Sequence, residues 1–149
     1  MMSKNKLYPY ILVTFQLGSL GYLLISGPLI AYSWLGILVE ATGFILGIVA
    51  IYIAGVHNVN IAPLPKQGSR LITYGPYRYL RHPMYLAQVL AVIPLVIDYF
   101  TYIRFAALLL LIIALLLKMP YEEKGLKHQF GDDYIKYMKN TKKVIPFIC

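Results

Sequence analysis

The sequence GPYRYLRHPMYL, residues 75–86, places two arginines, a histidine, two prolines and three tyrosines at the start of an apolar run. Pro83 suits the first turn of a helix, because its missing N–H would be unbonded there, and His82 would then lie at or near the N-cap. Free backbone N–H groups and the positive end of the helix dipole favour a carboxylate or phosphate at such a position.

Four tyrosines lie in or next to this motif: Tyr74, Tyr77, Tyr79 and Tyr85. Their flat faces can pack on a purine, or on a sulfonium cation by cation–π attraction. Belts of aromatic and basic residues are also ordinary features of membrane interfaces. The residue types alone therefore leave two interpretations open, an interface anchor and a cofactor site.

A second candidate group lies in the polar tail, residues 121–148, where Glu122 and Glu123 are adjacent. Two acids near a cationic site could hold an ammonium group, orient a basic side chain, or balance nearby lysines. Apolar residues follow at helical spacing and are interrupted by Gly131, which predicts a helical tail packed on the bundle or the lipid surface. They are Leu126, Phe130, Tyr134 and Tyr137.

The elements that must position these groups are apolar. Hydrophobic residues make up 59% of the chain and charged residues 13%, whereas an ordinary soluble domain has roughly 25% charged residues. Four segments, 8–25, 34–54, 83–97 and 102–119, are candidate spans, although the third is short for a bilayer. We therefore predict an all-α polytopic membrane bundle: one domain, residues 1–149, with about four transmembrane helices and a cytoplasmic helical tail.

Thirteen of the fourteen basic residues fall on one face of this four-span arrangement, and Arg104 is the exception. By the positive-inside rule that face is cytoplasmic, with both termini inside. The lipid bilayer thus accounts for the net charge of +8, and no nucleic acid is expected as a partner. The single cysteine, Cys149, excludes an internal disulfide and a cysteine-rich metal site, and we predict no metal.

Three further features bear on the bundle. Glu40 lies inside the second span, where it could contact a cavity, reach the outer interface or be protonated against a neighbour. Gly43 and Gly47 form a small-xxx-small pair that allows another helix to approach closely. Residues 58–69 contain Pro63, Pro65 and Gly68 and predict a loop across the cytoplasmic face.

Two blocks of the sequence resemble a known family. They are PLPKQGSRLITYGPYRYLRHPMYLAQVL and, after a hydrophobic hairpin, EEKGLKHQFGDDYIKYMKNTKKVIPFI. Their order and spacing are similar to those of isoprenylcysteine carboxyl methyltransferases, whose wider group includes phospholipid methyltransferases. Members often carry an arginine shortly before the closing proline, where this chain has Lys142 and Lys143 before Pro146.

The resemblance implies a polytopic membrane enzyme that uses S-adenosyl-L-methionine to methylate a lipophilic or lipid-linked acceptor. If the motif residues of the family are matched to this sequence, the resemblance implies that His82, Pro83 and Tyr85 bind the cofactor, with Arg81 and Tyr77 beside them. The catalytic candidates are Glu123, which takes the family's tail acid position, and its neighbour Glu122.

Two other functions remain open at this stage. A sterol-type reductase, which uses NADPH, has a related histidine-proline-tyrosine motif but usually carries asparagine where this chain has Met84. A membrane scaffold could retain the fold without turnover. The identity of the acceptor and the oligomeric state are both open.

Overall fold

A computed structural model describes residues 7–55 and 68–144, and these ranges are helical, with turns and short connections. The helices are α1 (Leu7–Ile25), α2 (Trp34–Ala54), α3 (Pro83–Asp98), α4 (Tyr102–Phe130) and α5 (Asp132–Asn140), with a short 3₁₀ turn at Gly75–Arg78. No strand is present within the described ranges, which confirms the all-helical prediction. The predicted loop lies mostly outside the described residues: its prolines, Pro63 and Pro65, are not covered.

Among the described residues, three helices are long and apolar enough to cross a membrane: α1, α2 and α4. Their many exposed leucines, isoleucines and phenylalanines suit a lipid solvent. The shorter α3 has 16 residues, about 24 Å of helix. Whether the described helices cross the membrane three or four times therefore depends on whether α3 spans it.

Local sequence explains the helix ends. The hydroxyls of Ser33 and Thr101 accept hydrogen bonds from Gly36 N and Arg104 N, which caps the first turns of α2 and α4. Pro83 begins α3 and His82 is its N-cap, as the motif predicts. The prediction placed the end of the fourth span near residue 119, but α4 continues through Pro120 to Phe130. Gly131, with a φ of 55°, separates α4 from α5.

The glycine pair in α2 packs against α3. A Cβ added at Gly43 would lie 2.6 Å from Ala91 N and 2.9 Å from Ala87 O, so only glycine allows the two backbones to approach this closely. A Cβ at Gly47 would meet the Ala87 Cβ at 3.5 Å, an ordinary contact. The predicted close helix approach therefore exists, and α3 is the helix that uses it.

We call the end of the bundle that carries residues 75–86 the motif end, and the opposite end the far end. Arg104 is 1% exposed at the far end and donates hydrogen bonds to Leu23 O, Ser26 Oγ and Leu95 O. It thus satisfies carbonyl groups at the carboxyl ends of α1 and α3, where helices leave acceptors unpaired.

Acidic residues also stabilise the far end. Asp98 accepts hydrogen bonds from Tyr32 N and Ser33 N. Glu40 is buried and accepts a hydrogen bond from Ala31 N at 2.9 Å. Glu40 therefore contacts the connection between α1 and α2.

Candidate active site

The tail returns to the motif through backbone hydrogen bonds. Arg81 N donates to Lys142 O at 2.7 Å and His82 N donates to Lys143 O at 3.0 Å, while Lys142 N donates to Tyr79 O. Leu80 and Lys142 form a parallel bridge within this pairing. The tail therefore fixes the position of the backbone that carries Arg81 and His82.

Arg81 joins the motif to both α4 and the tail. Its Nε donates to Glu123 Oε1 at 2.8 Å, and both side chains are 7% exposed. Its Nη1 donates to Met138 O and Thr141 O, at the end of α5. A planar guanidinium has several donors in fixed directions, so it can make these contacts at once where a lysine could not.

The His82 ring lies between the two acids. Nδ1 is 3.6 Å from Glu122 Oε2, and Nε2 is 3.5 Å from Glu123 Oε1. These distances are compatible with ion pairing but are long for hydrogen bonds, and buried Nε2 has no hydrogen-bond partner among the described residues. The ring also stacks on Tyr85, with centroids 5.2 Å apart and planes at 11°.

Two neighbouring side chains hold the carboxylate of Glu122. Tyr85 donates its phenolic proton to Glu122 Oε1 at 2.6 Å. Lys118, one turn earlier in α4, has its Nζ 3.5 Å from the same oxygen. The carboxylate is therefore oriented before any ligand arrives, which is the arrangement expected of a preorganised site.

Three more tyrosines lie at the motif end: Tyr77, Tyr134 and Tyr137. Tyr77 donates to Ala50 O, and Tyr137 donates to Tyr77 O at 2.7 Å. Burial raises the pKa of Tyr137 to about 12, although Arg81 opposes the rise, and burial also raises the pKa values of Tyr77 and Tyr134. These phenols are therefore neutral at physiological pH.

A cavity of about 590 Å³ begins at this cluster and continues between apolar stretches of α1, α2 and α3. Its volume lies within the range of small-molecule sites. The predicted site residues that border it are Tyr77, Arg81, His82, Pro83, Tyr85 and Glu122. Glu123 does not border it and faces Arg81 instead. The structure thus brings all seven predicted residues into one cluster, with Glu123 outside the cavity wall.

Besides Ser69 and Arg70, which precede the motif, three polar residues on the cavity wall are absent from the sequence-based site. They are Gln16 on α1, Gln88 on α3 and Lys118 on α4. Lys118 is one of the thirteen basic residues predicted to lie on the cytoplasmic face, and it is 3% exposed within α4. The sequence did carry a sign of these residues: two glutamines lie inside apolar segments. Such side chains are costly in a bilayer unless they have hydrogen-bond partners, which indicates that they meet other polar groups.

The apolar helices and the polar cluster at one end of a cavity define an integral membrane protein with a site near the ends of its helices. The family model for phospholipid methyltransferases matches residues 31–133, which include α2, α3, α4 and the complete motif. The chain belongs to the phospholipid methyltransferase family.

Two curated relatives support this membership. Both are described as a probable protein-S-isoprenylcysteine O-methyltransferase, one from Oryza sativa subsp. indica and one from Oryza sativa subsp. japonica. Each is 28% identical to this chain over 127 residues, which cover 78% of this chain and 62% of the relative. The chain therefore spans less than two thirds of the length of these relatives.

Proposed function

We propose that this protein is an integral membrane methyltransferase that moves a methyl group from S-adenosylmethionine to a lipophilic or lipid-linked acceptor. The observation that carries the proposal is one continuous cavity with a polar end and an apolar end. Its polar end contains His82 and Glu122, and its apolar end lies between helices long enough to span a bilayer. A water-soluble donor and a lipid acceptor could meet there.

The residues present fit such a cofactor. His82 borders the cavity next to Glu122, so its ring can contact a bound ligand. The carboxylate of Glu122 borders the cavity and suits a cation. When bound, the sulfonium supplies an electrophilic methyl group.

The two acids have different parts in this proposal. Glu122 borders the cavity, so it is the carboxylate that can attract a positive charge or accept a proton from an amine acceptor. Glu123 holds Arg81 and faces His82, so we assign it a positioning role. A carboxylate or thiolate acceptor needs no base, and then alignment and exclusion of water supply most of the rate.

Residues 1–149 would form one domain in this proposal, with α3 as a fourth and short crossing and both termini cytoplasmic. The excess of basic residues at the motif end supports this orientation. Cys149 is the only cysteine in the chain, so labelling in sealed vesicles tests it. A membrane-impermeant maleimide should react from the cytoplasmic side alone, and reaction from the other side would reverse the topology.

The activity is tested by incubating purified protein with methyl-labelled S-adenosylmethionine and a panel of lipid acceptors, and then measuring label in the organic extract. Wild type should label at least one acceptor. His82→Ala and Glu122→Gln should lower the rate by about tenfold or more. His128→Ala is the matched control, because this exposed histidine lies on the same helix as Glu122. Equal rates in all variants would refute the placement of the site.

A further inference from the structure

A row of three polar side chains connects α3, α1 and α4 along the cavity wall. Gln16 Nε2 donates to Gln88 Oε1 at 2.9 Å, and Lys118 Nζ donates to Gln16 Oε1 at 3.1 Å. Lysine has donors only, so Gln16 must turn its oxygen to Lys118 and its nitrogen to Gln88. The orientation of the row is thus determined by its chemistry.

The hydrogen bonds within the row leave mainly donors unused. Gln88 Nε2 carries two N–H groups and has no partner among residues 7–55 and 68–144, and Gln16 retains one N–H. Lys118 uses one of its three N–H groups on Gln16. A ligand group that lies against this wall of the cavity would therefore encounter more donors than acceptors, which favours an acceptor such as an anionic oxygen.

The charge of Lys118 is only partly offset by its neighbours. Its side chain is 4% exposed, and Glu122 Oε1 is 3.5 Å away, beyond the roughly 2.7–2.9 Å of a charge-assisted hydrogen bond. The same oxygen already accepts the Tyr85 proton at 2.6 Å. The face of the Tyr85 ring, 5.3 Å from Nζ, gives a weaker attraction. An anion beside Lys118 would be stabilised in this low-dielectric site.

We propose that Lys118, with the side-chain amides of Gln16 and Gln88, binds the anionic oxygen group of a lipid whose hydrocarbon chain occupies the apolar part of the cavity. Leu20 and Leu24 continue the same wall beyond Gln16, and Leu24 is two helical turns away, about 12 Å. The row would set how deep the lipid enters. The inference rests on the proposed function only in taking this lipid to be the methyl acceptor.

Carboxylate and phosphate share this chemistry, so the test uses a charged and a neutral member of each class. Equilibrium binding to the full-length protein in detergent is measured without adenosylmethionine. The first pair is S-farnesyl-N-acetylcysteine and its carboxamide, and the second is phosphatidic acid and diacylglycerol. Wild type should bind the charged member about tenfold more tightly in at least one pair. The pair that shows the preference identifies the anion, and equal binding within both pairs would overturn the proposal.

Three variants test whether the row is responsible for this preference. Lys118→Met should abolish it, while Lys118→Arg should retain it because the charge remains. Gln88→Leu removes free donors without removing a charge and should reduce the preference about threefold. Circular dichroism and size-exclusion chromatography show whether Lys118→Met folds. If it does not fold, the binding preference of Gln88→Leu decides the test. An unchanged preference in a folded Lys118→Met or Gln88→Leu protein would overturn the proposal. Absence of methyl transfer alongside an intact charge preference would count against the proposed function alone.

Discussion

Arg81 Nε lies 2.8 Å from Glu123 Oε1, and this buried ion pair joins the motif before α3 to the later part of α4. Arg81 also binds carbonyl groups at the end of α5. The pair therefore supports the site from behind, while His82 and Glu122 border the cavity.

Removing one partner of this pair should destabilise the protein. Glu123→Ala leaves the Arg81 charge buried without its carboxylate, and such a loss costs about 3–5 kcal/mol. The decrease should be visible in thermal unfolding of the purified protein in detergent. Asp133→Asn is the control, because Asp133 is exposed on α5 and should have little effect. A Glu123→Ala protein as stable as wild type would show that the pair does not support the site.

The Gly43 contact predicts a size limit on α2. Gly43→Ala would place a methyl group 2.6 Å from Ala91 N, so α2 and α3 would have to separate, at about 1–3 kcal/mol. Gly18→Ala has no atom within 4 Å of the new Cβ and should be neutral or stabilising, because alanine favours helix more than glycine does. Thermal unfolding of the two variants compares them directly, and equal midpoints would contradict the close packing.

Arg104 should be as important for stability at the far end as Arg81 is at the motif end. Arg104→Met leaves the acceptors Leu23 O, Ser26 Oγ and Leu95 O without this donor, at about 1–3 kcal/mol for each group that stays buried and unpaired. The control is Arg78→Met, since Arg78 is exposed. Equal decreases of the unfolding midpoint in the two variants would contradict the stabilising role of Arg104.

The Tyr137 phenol should ionise well above the usual range for tyrosine. Its pKa is raised to about 12 because burial disfavours the phenolate, and its proton is donated to Tyr77 O. Since the neutral form is favoured in the folded state, the contribution to stability is complete below pH 10 and is lost as the pH rises through about 12. Phenolate absorbance of wild type minus that of Tyr137→Phe should therefore titrate near pH 12. A midpoint near 10 would show that the phenol is not buried.

Much of the fold follows from hydrophobic patterning. The predicted segments 34–54 and 83–97 agree with α2 and α3 within one residue, because caps or Pro83 begin these helices. The fourth predicted span, 102–119, begins with α4, and the helix continues about three turns beyond residue 119. Hydropathy falls at Lys118 and Pro120, but the helix continues because its later face carries Leu126 and Phe130, which border the cavity.

The sequence predicts the site residues that lie in the motif or are charged residues near it. It does not predict which residues from distant helices contact one another in the folded chain. The motif and the two acids suggested a single cluster, and the structure places them in contact. Which acid borders the cavity depends on the rotation of α4, which two adjacent glutamates do not reveal. Likewise, the row of Gln16, Gln88 and Lys118 joins three helices, so only their packing shows that these residues meet.

The most direct measurement for the central proposal is calorimetric titration of the purified protein in detergent with S-adenosylmethionine, S-adenosylhomocysteine and NADPH. We expect the first two to bind and NADPH not to bind, and His82→Ala to weaken the binding while His128→Ala leaves it unchanged. Binding of NADPH alone would indicate a reductase, and failure of all three to bind folded protein would contradict the methyltransferase proposal.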